Sequence, residues 1–319
     1  MSDLRPSNNE FRENPYPDDE IDLRELFMVI WSGKWVISLV TGLAAALSLL
    51  VSMSLPNIYT ATTLLAPAES LGSGVSSLTR QYGGLASLAG VSLPGSKDGS
   101  RSQLGMELLK SRAFISDFVE RRDILPELMA VDFWNPGTGQ VVFDADIYDL
   151  ASTSWVRDVE PPRAAKPSAQ EAHSEFMDLL SVSENSETGY VTLSIDHHSP
   201  VIAAEWVRWL VEDVNAAVKA QDVTEAEKSI EYLKQQVANT SLADLQAMFF
   251  ELIQAQTETV MLAEVRPEYV FKTIDPPVVP EEKSGPSRAL ICVSGMLLGA
   301  VLGVAIALIR HYAKSEQDR

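Results

Sequence analysis

Two windows of the chain contain no charged residue, residues 35–55 (WVISLVTGLAAALSLLVSMSL) and residues 289–309 (ALICVSGMLLGAVLGVAIALI). Each is about 21 residues, or roughly 32 Å as a helix at ~1.5 Å per residue, enough to cross the hydrocarbon core of a bilayer. The pattern predicts two transmembrane helices near opposite ends of the chain. Residues 56–288 are then held between them against one face of a membrane.

Inside that middle region the period of the apolar positions changes several times. Residues 58–65 (IYTATTLL) are rich in β-branched side chains and read as a strand. Residues 102–121 place Leu104, Leu108, Ile115, Phe118 and Val119 on one helical face. Residues 132–166 look irregular. Residues 167–182 read as an amphipathic helix through Ala172, Phe176, Leu179 and Leu180, and residues 190–196 alternate as a half-buried strand. Ser199 and Pro200 then form a cap and first-turn pair. They open a helix of about 38 residues, a rod of roughly 57 Å. Residues 239–241 interrupt it, and Ser241 with Asp244 has the spacing of a capping box for a second helix reaching about Ala263. The pattern leaves open whether the two make one bent rod or a hairpin. Residues 269–274 read as a last strand. Pro276, Pro277, Pro280 and Pro286 forbid helix and force an extended approach to the second span. Ahead of the first span, residues 1–20 are polar and acidic, and residues 21–30 carry an amphipathic pattern suited to the inner membrane face. Residues 69–100, rich in Gly, Ser and Leu, read either as a flexible loop or as a weakly apolar segment that touches lipid or a membrane partner.

The expected fold class is an α+β membrane protein: two transmembrane helices flank an outer domain with an α/β base and a long protruding helix. The expected organisation is a cytoplasmic tail over 1–34, a first span over 35–55, a periplasmic domain over 56–288, a second span over 289–309 and a cytoplasmic tail over 310–319. Lys34 before the first span and Arg310, His311 and Lys314 after the second favour both tails inside. A cleaved leader fits poorly, because the segment before the first span is long and acidic rather than short and basic.

The 319 residues carry a net charge of −19. Most of the acidic excess falls in the middle region. This argues against nucleic-acid binding and against clinging to anionic headgroups. The single cysteine, Cys292, lies within the second span, so no intramolecular disulfide forms.

Catalytic constellations are missing from the pattern. No phosphate-binding glycine loop occurs. His197 and His198 read as a solvated turn at a strand end, pointing to opposite faces and poorly placed for one metal. The acids of the long helix (Glu205, Glu212, Asp213, Glu225, Glu227, Glu231) read as a solvated face, and Trp206 and Trp209 as core. No enzyme activity, cofactor or metal is expected. The strongest local motif is Gly295, Gly299 and Gly303, four apart on the second span, which lets another helix approach closely. Gly42 and Ala46 of the first span are the expected matching surface.

Several dispersed segments together resemble the Wzz type of chain-length determinant, a polysaccharide co-polymerase without a kinase domain. They are residues 21–26 (IDLREL) with Lys34-Trp35, Tyr59-Thr60-Ala61, Ser199-Pro200, residues 225–230 (EAEKSI) with Leu233, residues 261–263 (MLA), residues 269–272 (YVFK), Ile274-Asp275-Pro276-Pro277, Pro280, Pro286 and the three-glycine span. Each is weak alone; their order brackets both spans. The resemblance implies a ring of identical inner-membrane subunits, about eight by analogy with closed symmetric assemblies of the family. It also implies a Wzy-type polymerase as partner, a lipid-linked polysaccharide such as O-antigen as the polymer, and no catalysis by the chain itself. A periplasmic adaptor or export component of a polysaccharide secretion system is the alternative reading.

Overall fold

The computed structural model describes residues 31–68 and 98–317. The expectations for the first 30 residues, including the amphipathic helix, and for residues 69–97 of the expected loop lie outside the described residues; residues 98–100, expected to end that loop, are instead the first of a helix. The chain divides into two units, one of Met1–Leu55 with Ser287–Arg319 and one of Pro56–Pro286.

The first unit contains α1 (Lys34–Ser54) and, at the other end of the chain, α8 (Arg288–Gln317). Both are long and apolar enough to cross a membrane, as Lys34–Ser54 and Arg288–Arg310. The second unit begins with β1 (Tyr59–Pro67), followed by α2 (Asp98–Lys110), α3 (Arg112–Arg122) and α4 (Leu125–Met129). The helix expected over 102–121 is therefore two. Ser111 stops α2 and caps α3 by accepting from the Phe114 amide at 3.3 Å. This break turns the buried face, so Met106 and Leu109 enter the core while Leu104 stays exposed.

The stretch expected to be irregular holds two small hairpins, β2 (Val131–Asn135) with β3 (Gln140–Phe143) and β4 (Tyr148–Asp149) with β5 (Ser154–Trp155). Next comes α5 (Ala169–Leu179), opened by a full capping box between Ser168 and Glu171. The predicted helix over 167–182 ends earlier than its periodicity suggests. At Leu180 the chain becomes extended and starts β6 (Leu180–Glu184), whose partner β7 (Val191–His197) supplies a ladder that local periodicity does not reveal.

The remaining elements are α6 (Pro200–Asn239), α7 (Ala243–Val265) and β8 (Phe271–Asp275). Four strands form one antiparallel sheet in the order β6-β7-β1-β8. Along β7 burial alternates strictly, with Val191, Leu193, Ile195 and His197 inward. The first half of α6 lies over this sheet through Trp206, Val207, Leu210, Val214 and Val218. Phe118 of α3 and Phe176 of α5 close the core, Phe176 stacking on Trp206 at 5.7 Å.

Past Val218 the helix continues for about six more turns. There α7 runs back along it as the second arm of a helical hairpin. Val237 and Leu233 meet Met248, Phe249 and Leu252 in a small separate core. The hairpin thus replaces the bent rod as the arrangement of these two helices. The capping box expected at Ser241 does not form: the N-cap is Leu242, without a side-chain cap. Instead the Gln246 carboxamide donates back to the Thr240 carbonyl at 2.9 Å and closes the turn.

Two polar contacts fix α6 to its neighbours. Asn215 is buried; its Oδ1 accepts from the amides of Val270 (2.7 Å) and Phe271 (2.9 Å), and its Nδ2 donates to the Phe271 carbonyl (3.0 Å). The helix side chain thereby acts as a strand partner for the start of β8. Asp213 is also buried rather than part of a solvated face. Arg122 donates to it at 2.8 Å while lying 4.8 Å over the Trp209 ring, and Arg121 adds a contact at 3.4 Å. A buried carboxylate kept charged requires such pairing.

Replacing Asn215 by Ala leaves two amides and a carbonyl buried without partners, a loss of roughly 3 kcal/mol or more. Thermal unfolding of the detergent-solubilised chain, followed by tryptophan fluorescence, is expected to show a markedly lower midpoint for Asn215→Ala.

Candidate functional site

The two ends of the second unit meet. The Ile58 amide donates to the Gly285 carbonyl at 3.0 Å, and the Ser284 amide donates to the Ile58 carbonyl at 2.9 Å. Around this pair, the Thr60 hydroxyl lies 2.7 Å from Ser284 Oγ, Lys283 donates to the Asn57 side chain at 3.3 Å, and a ring nitrogen of His198 contacts the Asn57 carbonyl at 3.3 Å. Pro276, Pro277 and Pro280 lie in the irregular segment between β8 and this clasp, with Pro276 exposed and the other two half-buried; Pro286 directly follows it. The proline run was legible in the sequence. The pairing of Lys283, Ser284 and Gly285 with Asn57 and Ile58 was not, because contacts 226 residues apart leave no local periodicity.

His197 stands just behind the clasp. It is buried at 4% exposure, not in a solvated turn. Its Nδ1 accepts from the Ser199 amide at 2.9 Å, so the ring proton sits on Nε2 and is donated to the Glu127 carbonyl at 3.1 Å. Its ring packs 5.0 Å from Trp206. Burial is the main cause that lowers its pKa to about 4 and keeps it neutral. Glu127 shifts the other way: burial raises its carboxyl above the ordinary value. Among the described residues no group of three or more His, Cys, Asp or Glu is arranged to hold a metal ion.

In the first unit α1 and α8 pack antiparallel. A Cβ placed on Gly295 would collide with the Ser48 side chain; on Gly299 it would lie 2.5 Å from Ala44 Cβ and 3.1 Å from the Thr41 Cα; on Gly303, 3.0 Å from the Ile37 Cα. The glycines therefore admit the backbone of α1 itself. The matching surface is Ile37, Thr41, Ala44 and Ser48. Gly42 and Ala46 do not form it: nothing lies within 4 Å of a Cβ on Gly42, and Ala46 is exposed. A helix repeats every 3.6 residues, so moving one or two positions from Ala44 swings a residue to another side.

Residues 19–121 match the family model described as Wzz, chain length determinant protein. The match runs through α1, β1 and α2 and nearly to the end of α3, and over it the chain resembles that family. No curated protein matches the chain. A solved full-length bacterial polysaccharide co-polymerase aligns over 92% of this chain and 99% of its own, at 13% identity and a TM-score of 0.40. A fragment of WzzB, a polysaccharide co-polymerase from Salmonella Typhimurium, aligns over 72% of this chain and 100% of its own, at 13% identity and a TM-score of 0.31. Both scores fall below the level at which two chains share a fold, so the functional reading rests on the matched segment and on the chain's own residues.

Gly299→Ile forces a branched side chain against α1 backbone, at a cost of ~1–3 kcal/mol. The melting midpoint of the detergent-solubilised chain should fall for Gly299→Ile and hold for Gly42→Ile, which points into open space. A separate expectation concerns pH. Between pH 6.5 and about 4 the unfolded chain takes a proton on His197 and the folded chain does not. Stability therefore declines as pH drops through that window, by on the order of 3 kcal/mol. Glu127 works in the opposite direction, because its raised folded pKa favours folding as pH falls. Denaturant midpoints measured across the window should decline for the native chain. They should decline distinctly less for His197→Gln.

Proposed function

We propose that the chain is a non-catalytic regulator of polysaccharide chain length, anchored in the bacterial inner membrane by α1 and α8. The observation that carries this reading is the match of residues 19–121 to the chain length determinant family. The antiparallel pairing of α1 and α8 supports a two-pass anchor with both tails on one side. Lys34 and Arg310 stand at that same end, which favours the cytoplasm for the tails and the periplasm for Pro56–Pro286.

On this reading the working unit is a homo-oligomer, a ring of identical copies beside a Wzy-type polymerase. The growing lipid-linked polysaccharide, O-antigen or a related surface polymer, passes along the long helical hairpins. Gly295, Gly299 and Gly303 hold the anchor of each copy together. Pro276, Pro277, Pro280 and Pro286 fix the path by which the domain returns to the membrane. The chain supplies placement and no bond-making chemistry.

Deleting the gene in its host should shift the length distribution of the surface polysaccharide on a gel, with sugar transfer retained. Re-expression should restore the original distribution. A distribution that is the same with and without the gene overturns the proposal.

A further inference from the structure

The core of the second unit takes one face of the four-stranded sheet, and a cavity opens on the other. Along β1, Ala61, Thr63 and Leu65 turn inward and are buried, so Thr62, Leu64 and Ala66 stand on the opposite side. Ala66 is the register partner of Lys272 in β8, and Ile274, two residues further on, shares that side at 48% exposure. Where the end of β1 meets the start of β8, a cavity of about 490 Å³ is lined by Ala66, Pro67, Pro267 and Ile274, with Arg266 and Lys272 on its wall. That volume is in the range of small-ligand sites.

Charge there runs against the rest of the chain. The sequence carries 44 Asp and Glu against 25 Lys and Arg. The cavity has two cations to one acid, Glu268. Glu268 is committed to the backbone, its Oε1 accepting from the Thr273 amide at 2.9 Å. Lys272 is exposed and enters none of the ion pairs among the described residues. The guanidinium of Arg266 has five donors and can serve more than one acceptor. An apolar occupant would leave the two cations without counter-charge, and a bare anion would leave the apolar wall uncovered. A sugar ring bearing a carboxylate satisfies both, with its C–H face on the wall and its acid at the cations. Beyond the cavity the same side of the sheet continues in hydroxyls. Leu64 is followed across the ladder by Thr192 and Ser183, and Thr62 by Ser194 and Ser181. These side chains offer donors and acceptors to neighbouring sugars and little apolar area to a helix or a second subunit.

We infer that this cavity binds an acidic sugar residue of the polysaccharide, its carboxylate against Lys272 and Arg266 and its ring against Pro67, Pro267 and Ile274. The inference rests on the chain-length reading and adds to it a contact with the polymer on the sheet itself. Because the contact joins exposed charges, it weakens as salt is raised.

The test is calorimetric titration of the full chain in detergent at low salt with a galacturonic acid trisaccharide. Maltotriose and inorganic phosphate serve as comparison probes. The expected result is that the trisaccharide binds, less tightly at high salt, and that the two comparison probes bind far more weakly. Lys272→Gln should weaken trisaccharide binding by about fivefold, the most that one exposed charge pair contributes, with an unchanged melting midpoint. Lys166→Gln, at an exposed position in the segment before α5, should bind like the native chain. Equal affinity for maltotriose overturns the inference, because the carboxylate is then not recognised. Equal affinity for phosphate also overturns it, because the sugar ring then adds nothing. So does an absence of trisaccharide binding, or a Lys272→Gln chain that binds like the native one. These outcomes leave the chain-length reading standing. A polymer distribution unaltered by deletion of the gene instead removes that reading, and this inference with it.

Discussion

The carboxamide of Asn215 is the hinge of the second unit's construction. A helix ordinarily meets a sheet through side-chain packing alone. Here one residue of α6 supplies the donor and acceptors that a neighbouring strand would give to Val270 and Phe271. That contact decides where β8 begins. β8 in turn pairs with β1, and the Thr63 hydroxyl donates to the Asp275 carbonyl at 2.6 Å at the point where the ladder register shifts. Gly105 confirms how closely the region is fitted: a Cβ there would lie 2.8 Å from the Phe271 ring, so α2 can seat on β8 only with glycine at this place.

Much of this was legible in the chain before folding is considered. Uncharged length marked α1 and α8. The alternation of Val191, Leu193 and Ile195 marked β7, and Ser199 with Pro200 marked the start of α6 to the residue. Such features are local: a period, a cap or a breaker carries its own physics. What the pattern missed depends on partners far away in sequence. Leu180 has helical periodicity with Phe176 but pairs with Ile195 in a strand. Asp213 looks like one acid among many until Arg121 and Arg122 arrive from α3. His197 looks like half of a polar turn until the Trp206 ring and the Glu127 carbonyl enclose it.

The membrane anchor shows the same division. The glycine spacing in α8 is visible in the sequence, yet its counterpart surface was misplaced by one or two residues. Small side chains are common throughout α1, so composition cannot say which side faces α8. Only the crossing of the two helices selects Ala44 and Ser48 over Gly42 and Ala46. A pattern can therefore declare that close packing is available without declaring where it is used.

The clasp between Ile58 and Gly285 has a consequence for how the chain assembles. Closing a flexible loop of 226 residues costs about 5 kcal/mol of chain entropy, from a logarithmic dependence on length. A soluble domain meets that cost when its first and last strands find each other. In this chain α1 also pairs antiparallel with α8, so the same long loop is closed twice, once by the two helices and once by the clasp, and the entropic cost is met by both pairings together.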